Sequence, residues 1–480
     1  MRDLSPTFWR WSLVLVVVLA AAVALGGIAL PPLEAHEVFV LTAAQGMHEH
    51  NDWVIPWFNG EYHLTKPPLS YWLTAFSAWA SGGIDHIQPW HGRLPSALAG
   101  VGLALLTALS GRKLFDAASG LLAALVLASS VGFFYYTHSA RPEMLYAFLC
   151  AAAFTAYVYA RQMSPGHPAQ KISSHLIWLA FGLATLTKGP HLPAIFLVAF
   201  AIDCRLRGLN LRQSFTLLQP VSGLILLLAI ALPWWWLLQH RLGSSGISGT
   251  QLSGSLLTLH ILQALSPYYL YRPLQLLLPW LLFLPALACL PWREKTQSGT
   301  LPLLSLTVVL CALVLSFGPQ KRWYYMMPAL MPMCLLLAAG MMEFFRRHSD
   351  KWRWSGYLHW LLLLPIAGFI VVGNTALPWS ENRFSQHRLA LAARDQVAAG
   401  RPLIAWEVTP EIYVYYTHST VAHVGSLAEL LALLDKTPGK PYSLLLQTDD
   451  IKKLPPALKP RLLQQLRGGE DNPVSLLQIN

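Results

Sequence analysis

The sequence predicts an all-α polytopic membrane domain over residues 1–376 and a small α/β domain over residues 377–480. Only 12% of the 480 residues are charged and 54% are hydrophobic, whereas soluble domains are roughly 25% charged. Apolar runs of spanning length recur as far as Thr375, and beyond that residue the runs shorten to the length of strands. A mean hydropathy of +0.44 also argues against an ordinary soluble globular protein.

About eleven membrane spans are predicted from the length of the apolar runs. A helix needs about 20 mostly apolar residues to cross a hydrocarbon core of about 30 Å. The first run follows Arg2 and Arg10, as in a signal peptide, but it is longer than a signal sequence, so we interpret it as a retained span. The runs lie near residues 11–30, 93–111, 117–136, 144–161, 173–187, 190–204, 217–238, 273–291, 301–317, 324–344 and 357–376.

The basic residues between the spans predict the orientation of the chain. They concentrate on the side of the N-terminus, and the positive-inside rule places that side in the cytoplasm. The loops 31–92 and 239–270 and the C-terminal domain are then expected on the opposite side. The net charge of +11 is attributed to this bias and not to nucleic-acid binding. The basic residues concerned are Arg112, Lys113, Arg161, Lys171, Arg205, Arg207, Arg212, Arg293, Lys295, Arg346, Arg347, Lys351 and Arg353.

The loop 31–92 is predicted to be structured. Residues 36–50 have the pattern of an amphipathic helix that lies in the membrane interface. The sequence "WFNGEYHL" places Asn-Gly between aromatic residues, which is typical of a tight β-hairpin. Pro67 and Pro68 suit the first turn of a helix. The stretch "HLTKPPLSYWL" is therefore predicted to be a rigid turn that fixes Lys66 at the start of a helix ending near Ser81.

The C-terminal domain is predicted from alternating strand and helix patterns. Short apolar runs at 403–408, 420–424, 442–448 and 474–480 have the length of strands. Helical patterns follow Ser426, a suitable N-cap, and cover "IKKLPPALKPRLLQQL" (451–466).

A second outer segment, "GSSGISGTQLSGS" (243–255), is rich in glycine and serine and therefore conformationally loose. It is interpreted either as a lid or as an uninvolved flexible loop.

Six cations lie at the outer ends of spans or in the outer loops, where the positive-inside bias disfavours them. A charge at the centre of a membrane helix costs about 2.5–3.5 kcal/mol on insertion scales, and less near an interface. Snorkelling or ion pairing would explain any one of them, but an anionic ligand explains the group better. The cations are Lys66, Arg93, Arg141, Lys188, Lys321 and Arg322, and the acids on the same face are Glu34, Glu37 and Glu143.

Several segments resemble, in order and spacing, the bacterial glycosyltransferases of the aminoarabinose transferase (ArnT-like) and protein O-mannosyltransferase superfamily, which have the GT-C fold. The segments are "EAHEVFVLTAAQGMHEHNDWVIPWFNGEYHLTKPPLSYWL", "RLPSALAG", "SARPEM", "LTKGP" and "KRWYYMMPALMP". The resemblance covers most of residues 30–335. It implies inverting transfer of a sugar from a polyprenyl-phosphate donor to a lipid or glycan acceptor, such as the lipid A of lipopolysaccharide. The implied location is the periplasmic face of the bacterial inner membrane.

The resemblance assigns the donor phosphate to the cations. Lys66 matches the lysine of the family's Lys-Pro-Pro turn, and Lys188 matches the lysine of its Lys-Gly-Pro element. Lys321 or Arg322 matches the basic position before a Tyr-Tyr pair. A lipid phosphate is an anion at membrane depth, which is also the ligand that the charges predict by themselves. The remaining cations of the group, Arg141 and Arg93, are predicted to bind the same phosphate.

The same resemblance suggests the catalytic carboxylates. The family's Asp-Glu pair falls on His36 and Glu37, so a histidine replaces the first acid. Glu37 or Glu34 is predicted to act as general base, and His36 to share that task or to contact the acceptor or sugar. Both acids also suit the start of an interfacial helix. Glu143 matches the acidic residue of the second outer loop, either as a catalytic group or as a partner of Arg141.

No cofactor is predicted, and a divalent metal is left open. Thr65 stands where close aminoarabinose transferases carry a glutamate, so no metal role of that residue transfers to this chain. His63, His260 and nearby carboxylates remain as available ligands, although no metal-binding pattern links them.

The tyrosines at the outer span ends, Tyr268, Tyr324 and Tyr325, either contact the sugar or acceptor or belong to an aromatic belt. The sequence leaves two other functions open for the whole chain. A transporter or flippase of a lipid-linked sugar would favour an internal repeat and charges along a path through the bilayer, and a catalytically degenerate relative would bind such a lipid without turnover.

Overall fold

The computed structural model describes residues 5–30, 33–248, 267–292, 299–318, 320–348, 355–376, 386–436, 439–458, 461–465 and 473–479. It is mostly helical, and each predicted span overlaps a helix or a bent pair of helices. The helices are α1 Pro6–Leu25, α2 Ala35–Glu49, α3 Leu69–Ala80, α4 Pro89–Leu114, α5 Ala117–Ala128, α6 Val131–Thr137, α7 Pro142–Ala160, α8 Pro168–Lys188, α9 His191–Leu206, α10 Leu211–Leu218, α11 Pro220–Ser248, α12 Tyr268–Tyr271, α13 Thr300–Ser316, α14 Leu330–Arg347, α15 Ser355–Val371, α16 His387–Ala398, α17 Glu411–Thr417 and α18 Leu427–Asp435.

Within the described ranges, five helices are long and apolar enough to cross a membrane, and seven spans result if each bent pair counts as one. One bent pair is α5 and α6, which meet at 58°. There the side chain of Ser130 caps α6 by accepting from the N–H of Phe133. The helix α4 shows why the local sequence folds as it does, because Pro89 occupies its first turn and Arg112 and Lys113 occupy its last.

The predicted span 273–291 is not one continuous helix. Residues Arg272–Leu277 and Trp280–Cys289 are two 3₁₀ helices, and the segments Tyr268–Leu277 and Trp280–Cys289 meet at an angle of 113°. Pro279 stands at the break and Pro285 lies inside the second helix. Because proline has no N–H and clashes with the preceding turn, it prevents a continuous α-helix here.

The membrane helices pack around α7, which lies against α4 and α8. A buried polar cluster ties the C-terminal end of α7 to its neighbours. The Arg161 guanidinium lies 3.2 Å from both oxygens of Asp203 on α9, and the Tyr157 hydroxyl donates to the same carboxylate at 2.6 Å. Arg161 also donates to the carbonyl of Gly299 and to the Thr300 hydroxyl at the start of α13. This cluster fixes three helices at the end of the bundle predicted to be cytoplasmic.

Replacing Asp203 by asparagine is expected to destabilise the protein by about 3–5 kcal/mol, because it leaves the buried Arg161 charge without its counter-ion. Thermal unfolding of the purified protein in detergent measures the effect. Glu343→Gln is the matched control, since its ion pairs with Arg346 and Arg347 involve largely exposed arginines and such pairs contribute only about 0–1 kcal/mol. Equal shifts in the two variants would contradict this account of the cluster.

The C-terminal α/β unit, defined as residues 386–479, contains a five-stranded sheet in the order β4-β3-β5-β7-β6. Strand β3 pairs in parallel with β4 and β5, and β7 pairs antiparallel with β5 and β6. The domain boundary near residue 377 falls outside the described residues. So do residues 249–266 of the predicted loop 239–270, which include most of the segment 243–255 interpreted as a possible lid. The strands are β3 Leu403–Trp406, β4 Ala422–Val424, β5 Tyr442–Gln447, β6 Arg461–Gln465 and β7 Val474–Ile479.

Two parts of the prediction for this unit are confirmed and one is wrong. The four predicted strands overlap β3, β4, β5 and β7. The side chain of Ser426 caps α18 by accepting from the N–H of Glu429. The predicted helix 451–466 is instead made of two 3₁₀ segments, Thr448–Lys453 and Pro456–Leu458, followed by the edge strand β6. Pro455 and Pro456 interrupt the helical pattern.

Candidate functional site

The predicted turn around Lys66 is present in the structure. Strands β1 (Trp57–Phe58) and β2 (Glu61–Tyr62) form the hairpin, with Asn59 and Gly60 at φ 54° and 81°, as a tight Asn-Gly turn requires. After the hairpin, the N–H of His63 donates to the Pro56 carbonyl at 2.8 Å, and the helix α3 begins at Leu69 behind Pro68. Lys66 therefore sits on a short connection that is anchored at both ends.

The side chains before Lys66 support this connection. The imidazole of His63 stacks on Phe39 of α2 at 4.9 Å between ring centroids, and its Nε2 lies 2.7 Å from the Thr65 hydroxyl. Burial, followed by the charge of Lys66, lowers the pKa of His63 to about 4. The imidazole is therefore neutral at physiological pH and adds no positive charge beside Lys66.

Glu143 lies at the centre of the cations that the sequence predicted. It stands in the first turn of α7, two residues after Arg141, which is the N-cap residue. Its Oε1 accepts from Lys188 Nζ at 2.9 Å and its Oε2 from Arg141 Nε at 3.4 Å. The three side chains are only 2%, 13% and 5% exposed, respectively. Lys66 is close enough for the charges of all three to act on it.

The position of Lys188 follows from the "LTKGP" element. Lys188 ends α8, and Gly189 has φ 103°, a conformation that side-chain-bearing residues rarely adopt. The Tyr146 hydroxyl donates to the Gly189 carbonyl at 2.9 Å and accepts from the N–H of Leu192 at 3.3 Å. Because this hydroxyl bridges both sides of the break, it holds the end of α8 toward Glu143.

The tyrosine pair also belongs to this site. The guanidinium of Arg141 lies 4.4 Å from the ring centroid of Tyr324, and Lys188 Nζ lies 4.5 Å from that of Tyr325. Such cation–π contacts stabilise a desolvated cation. The neighbouring Arg322 is fixed through its backbone, since the Tyr269 hydroxyl exchanges hydrogen bonds with its N–H and carbonyl at 3.2 Å. Tyr324 and Tyr325 therefore contact the cations next to Glu143, and tyrosines of an aromatic belt would not need such contacts.

The remaining residues of the predicted group are distributed around this centre. The charge of Arg322 acts on His36 and on Tyr325, and Lys321 precedes it with a partly buried side chain. Tyr268 packs against Tyr269 at 5.2 Å between ring centroids. We define Lys66, Arg141, Glu143, Lys188 and Arg322 as the cation cluster.

In the cation cluster, Lys188 and Arg141 contact Glu143, and the charge of Lys66 acts on the same carboxylate. Arg322 is exposed, and its charge acts on His36. Burial lowers the pKa of Lys66 to about 8, with Lys188 and Arg141 adding to the shift and Glu143 opposing it. His36 is exposed and lies within electrostatic reach of the cluster. Desolvation there, followed by the charges of Arg141 and Lys66, lowers its pKa. An excess of partly desolvated cations of this kind favours an anionic ligand.

Arg93 and Glu37 form a separate, fully buried ion pair. Two guanidinium nitrogens of Arg93 donate to the two oxygens of Glu37 at 2.8 Å, and the residues are 0% and 1% exposed. Glu37 also accepts from the N–H of Ala140 at 2.7 Å and from that of Glu34 at 3.1 Å. The sequence predicted a phosphate contact for Arg93 and a base for Glu37. In the structure the two groups satisfy each other, and together they anchor the backbone next to Arg141.

Glu34 has a different environment from Glu37. It is the N-cap residue of α2 and is half-buried, and the Tyr135 hydroxyl donates to its two oxygens at 2.7 and 2.8 Å. Across the described part of the chain, no three His, Cys, Asp or Glu side chains are grouped closely enough to hold a metal ion. His260 lies outside the described residues.

Sequence reasoning missed the supporting tyrosines. Tyr135 donates a hydrogen bond to Glu34, and Tyr146 fixes the turn after Lys188. The Arg141 guanidinium lies 5.5 Å from the ring centroid of Tyr136. Their one signal is the cluster of tyrosines on either side of "SARPEM". In an apolar chain with 17 tyrosines, that signal is too weak to separate them from packing residues.

The chain is similar to several known proteins. Residues 38–245 match the dolichyl-phosphate-mannose-protein mannosyltransferase family. An uncharacterized protein of Aquifex aeolicus is 26% identical over 310 residues, which are 63% of this chain and 58% of that protein. The undecaprenyl phosphate-alpha-4-amino-4-deoxy-L-arabinose arabinosyl transferase 1 of Sodalis glossinidius is 27% identical over 346 residues, 68% of this chain and 59% of that enzyme. The matched regions thus span less than two thirds of these relatives.

Among solved structures, ArnT from Cupriavidus metallidurans has a TM-score of 0.75 in the apo state and 0.73 when bound to undecaprenyl phosphate. In both comparisons 97% of each chain is covered at 18% identity. This coverage confirms the GT-C fold that the sequence predicted. The chain is therefore similar to the dolichyl-phosphate-mannose-protein mannosyltransferase family over residues 38–245 and shares its fold with these ArnT structures.

Proposed function

We propose that the protein is an inverting glycosyltransferase that moves a sugar from a polyprenyl-phosphate donor to a lipid or glycan acceptor. The observation that carries the proposal is the cation cluster, in which Lys66, Arg141, Lys188 and Arg322 outnumber the single carboxylate of Glu143. The fold shared with an ArnT that binds undecaprenyl phosphate supports the same ligand class.

The cluster suits the chemistry of such a transfer. The acceptor oxygen attacks the anomeric carbon of the sugar while the bond from that carbon to the phosphate oxygen breaks. The electron pair stays on the leaving polyprenyl phosphate, whose negative charge therefore grows toward the transition state. Cations that are already in place stabilise that state more than the bound donor, which raises the rate and not only the affinity. A single displacement of this kind inverts the anomeric centre.

Glu143 has a positioning role in this proposal. Its two oxygens hold Lys188 and Arg141 on either side of one carboxylate. Without it, the two cations would repel each other across a buried space. Because Glu143 neutralises part of the positive charge, the protein can fold without a ligand, and the cluster keeps a net positive charge that attracts a phosphate.

We assign the acceptor side of the site to His36 and Glu34, at the start of α2. A neutral imidazole is able to take a proton from an acceptor hydroxyl, and the lowered pKa of His36 favours this neutral form. Glu34, held by Tyr135, is the carboxylate that can assist it. Glu37 and Arg93 are given the positioning role described above, and Tyr268 is a proposed contact for the sugar.

The proposed location is a bacterial inner membrane, with the N-terminus in the cytoplasm and the cation cluster and C-terminal α/β unit on the periplasmic face. The positive-inside pattern supports this orientation. Mass spectrometry of envelope glycolipids and glycans from cells with and without the protein tests the function. Loss of one glycosylated species in its absence is expected, and unchanged glycosylation would contradict the transferase. A flippase or a non-catalytic relative would fail to turn over donor when purified.

The pH dependence of donor use provides a specific prediction. Since the pKa of Lys66 is lowered to about 8, its ammonium is present below that pH and is lost above it. We expect kcat/KM for the donor, which reports groups of the free enzyme, to fall as the pH rises through about 8. Lys66→Arg keeps its charge in this range and should remove that limb. An unchanged limb in Lys66→Arg would contradict the assignment.

A further inference from the structure

The hairpin next to Lys66 is joined to the C-terminal α/β unit by one side chain. The Asn59 amide nitrogen donates to the Val421 carbonyl at 3.0 Å, and its amide oxygen accepts from the Val421 N–H at 2.8 Å. Val421 is buried and directly precedes the edge strand β4. One asparagine side chain therefore satisfies both backbone groups of a residue 362 positions away, as a neighbouring strand would.

Other contacts of the C-terminal unit reach the same outer loop. Helix α17 packs on α2. Its Tyr415 hydroxyl donates to the Ile87 carbonyl at 2.9 Å. Phe58 of the hairpin lies against apolar clusters of both the loop and the C-terminal unit. The C-terminal unit is thus seated on the segment that leads to Lys66.

The connection from Asn59 to Lys66 is short and stiff. From the turn, the chain runs through β2 to His63, which is held by Pro56 and Phe39, and then through Thr65 to Lys66. A displacement of the hairpin therefore moves the Lys66 ammonium relative to Lys188 and Arg141, which are fixed by other helices. A small displacement of this kind is enough to weaken a charge-assisted contact with a phosphate.

We propose that Asn59 is a positioning residue, through which the C-terminal α/β unit holds Lys66 in the geometry that binds the donor phosphate. This inference rests on the proposed function, because it takes a polyprenyl phosphate as the ligand of the cation cluster. It assigns the C-terminal unit a role in donor affinity although that unit supplies no member of the cluster.

The test compares Asn59→Gly with Asn51→Gly in the full-length protein in detergent. Glycine retains the left-handed backbone of either position, φ 54° at Asn59 and 48° at the exposed Asn51, so the hairpin is preserved and only the side chain is lost. Binding of undecaprenyl phosphate is measured by titration. Losing two backbone contacts is expected to raise Kd for Asn59→Gly by about tenfold. KM for the donor should rise in parallel, and kcat should fall as well, because a displaced Lys66 stabilises the leaving phosphate less. Asn51→Gly should retain the wild-type Kd.

A second variant, Asn59→Asp, keeps the acceptor for the Val421 N–H but sets an oxygen against the Val421 carbonyl, so its Kd should rise as well. A wild-type Kd in Asn59→Gly, or an equal rise in Asn51→Gly, would overturn the inference. A purely structural role would reduce the active fraction, and with it kcat, at constant Kd, and this result would overturn it too. If the wild-type protein binds no polyprenyl phosphate, the proposed function itself fails, whereas a loss of binding in Lys66→Ala alone sinks only the role of Asn59.

Discussion

Lys66→Ala is expected to lower kcat/KM for sugar transfer by about 100- to 1,000-fold, the range found when one preorganised group is removed from a charged transition state. Lys66 lies on the loop 31–92 and is partly buried. Once its ammonium is removed, little water is available to stabilise the phosphate charge in its place. The measurement is the initial rate of transfer of a radiolabelled sugar from its polyprenyl phosphate in membranes. Because the leaving phosphate gains charge, kcat should fall along with the affinity for donor.

Two controls make the Lys66 result specific. Lys113→Ala removes a lysine from the end of α4, where its ammonium lies 5.6 Å from the Tyr159 ring centroid, and should leave transfer close to wild type. Lys66→Arg should keep a substantial part of the activity, since the charge remains although its geometry differs. Wild-type kcat/KM in Lys66→Ala would remove Lys66 from the phosphate site.

Glu37→Gln is expected to destabilise the protein by about 3–5 kcal/mol, because it leaves the Arg93 guanidinium buried without its counter-ion. The glutamine also replaces a charged acceptor for the N–H of Ala140, so the backbone beside Arg141 should loosen. A lowered unfolding temperature and a lowered folded yield in detergent are the expected results, with a decrease in kcat/KM in the fraction that folds.

The outcome separates the general-base role that the sequence predicted for Glu37 from the positioning role that the ion pair with Arg93 indicates. A general base replaced by its amide gives a protein of normal stability that has lost about 100- to 10,000-fold in rate. A positioning carboxylate gives a protein that is first of all unstable. Normal thermal unfolding in Glu37→Gln, together with a large loss of kcat, would contradict the positioning role and return Glu37 to the catalytic group.

The helices and the local turns were predictable because their signals are local. Spanning length is read directly from apolar runs, and the Asn-Gly and Pro-Pro pairs specify the backbone around Lys66 through their own steric limits. The cations could be selected because the positive-inside rule makes a charge on the wrong face unusual. These rules need only neighbouring residues, so one sequence is sufficient for them.

The pairing of the charged side chains was not predictable from the sequence in the same way. Arg93 meets Glu37 across 56 positions, and Lys188 meets Glu143 across 45. Which cation meets which acid depends on how α4, α7 and α8 pack, and spacing along the chain carries no information about that. For the same reason the sequence does not distinguish Arg93 from Lys66, although Arg93 lies in a buried ion pair with Glu37 and Lys66 belongs to the cation cluster.

The errors in the fold have a common physical cause. Both the bent segment 268–289 and the strand β6 lie where prolines interrupt an apolar or helical pattern. Periodicity favours a helix at these places, and the missing N–H groups of Pro279, Pro285, Pro455 and Pro456 oppose it. At each of these places the prolines determine the structure, and no continuous α-helix forms.

The most direct test of the account is an experimental structure of the protein with a bound polyprenyl phosphate. The phosphate is expected to lie within the cation cluster, with oxygens about 2.7–2.9 Å from the nitrogens of Lys66 and of Lys188 or Arg141, as in charge-assisted hydrogen bonds. A phosphate bound elsewhere while the cation cluster stays empty at saturating lipid would contradict it.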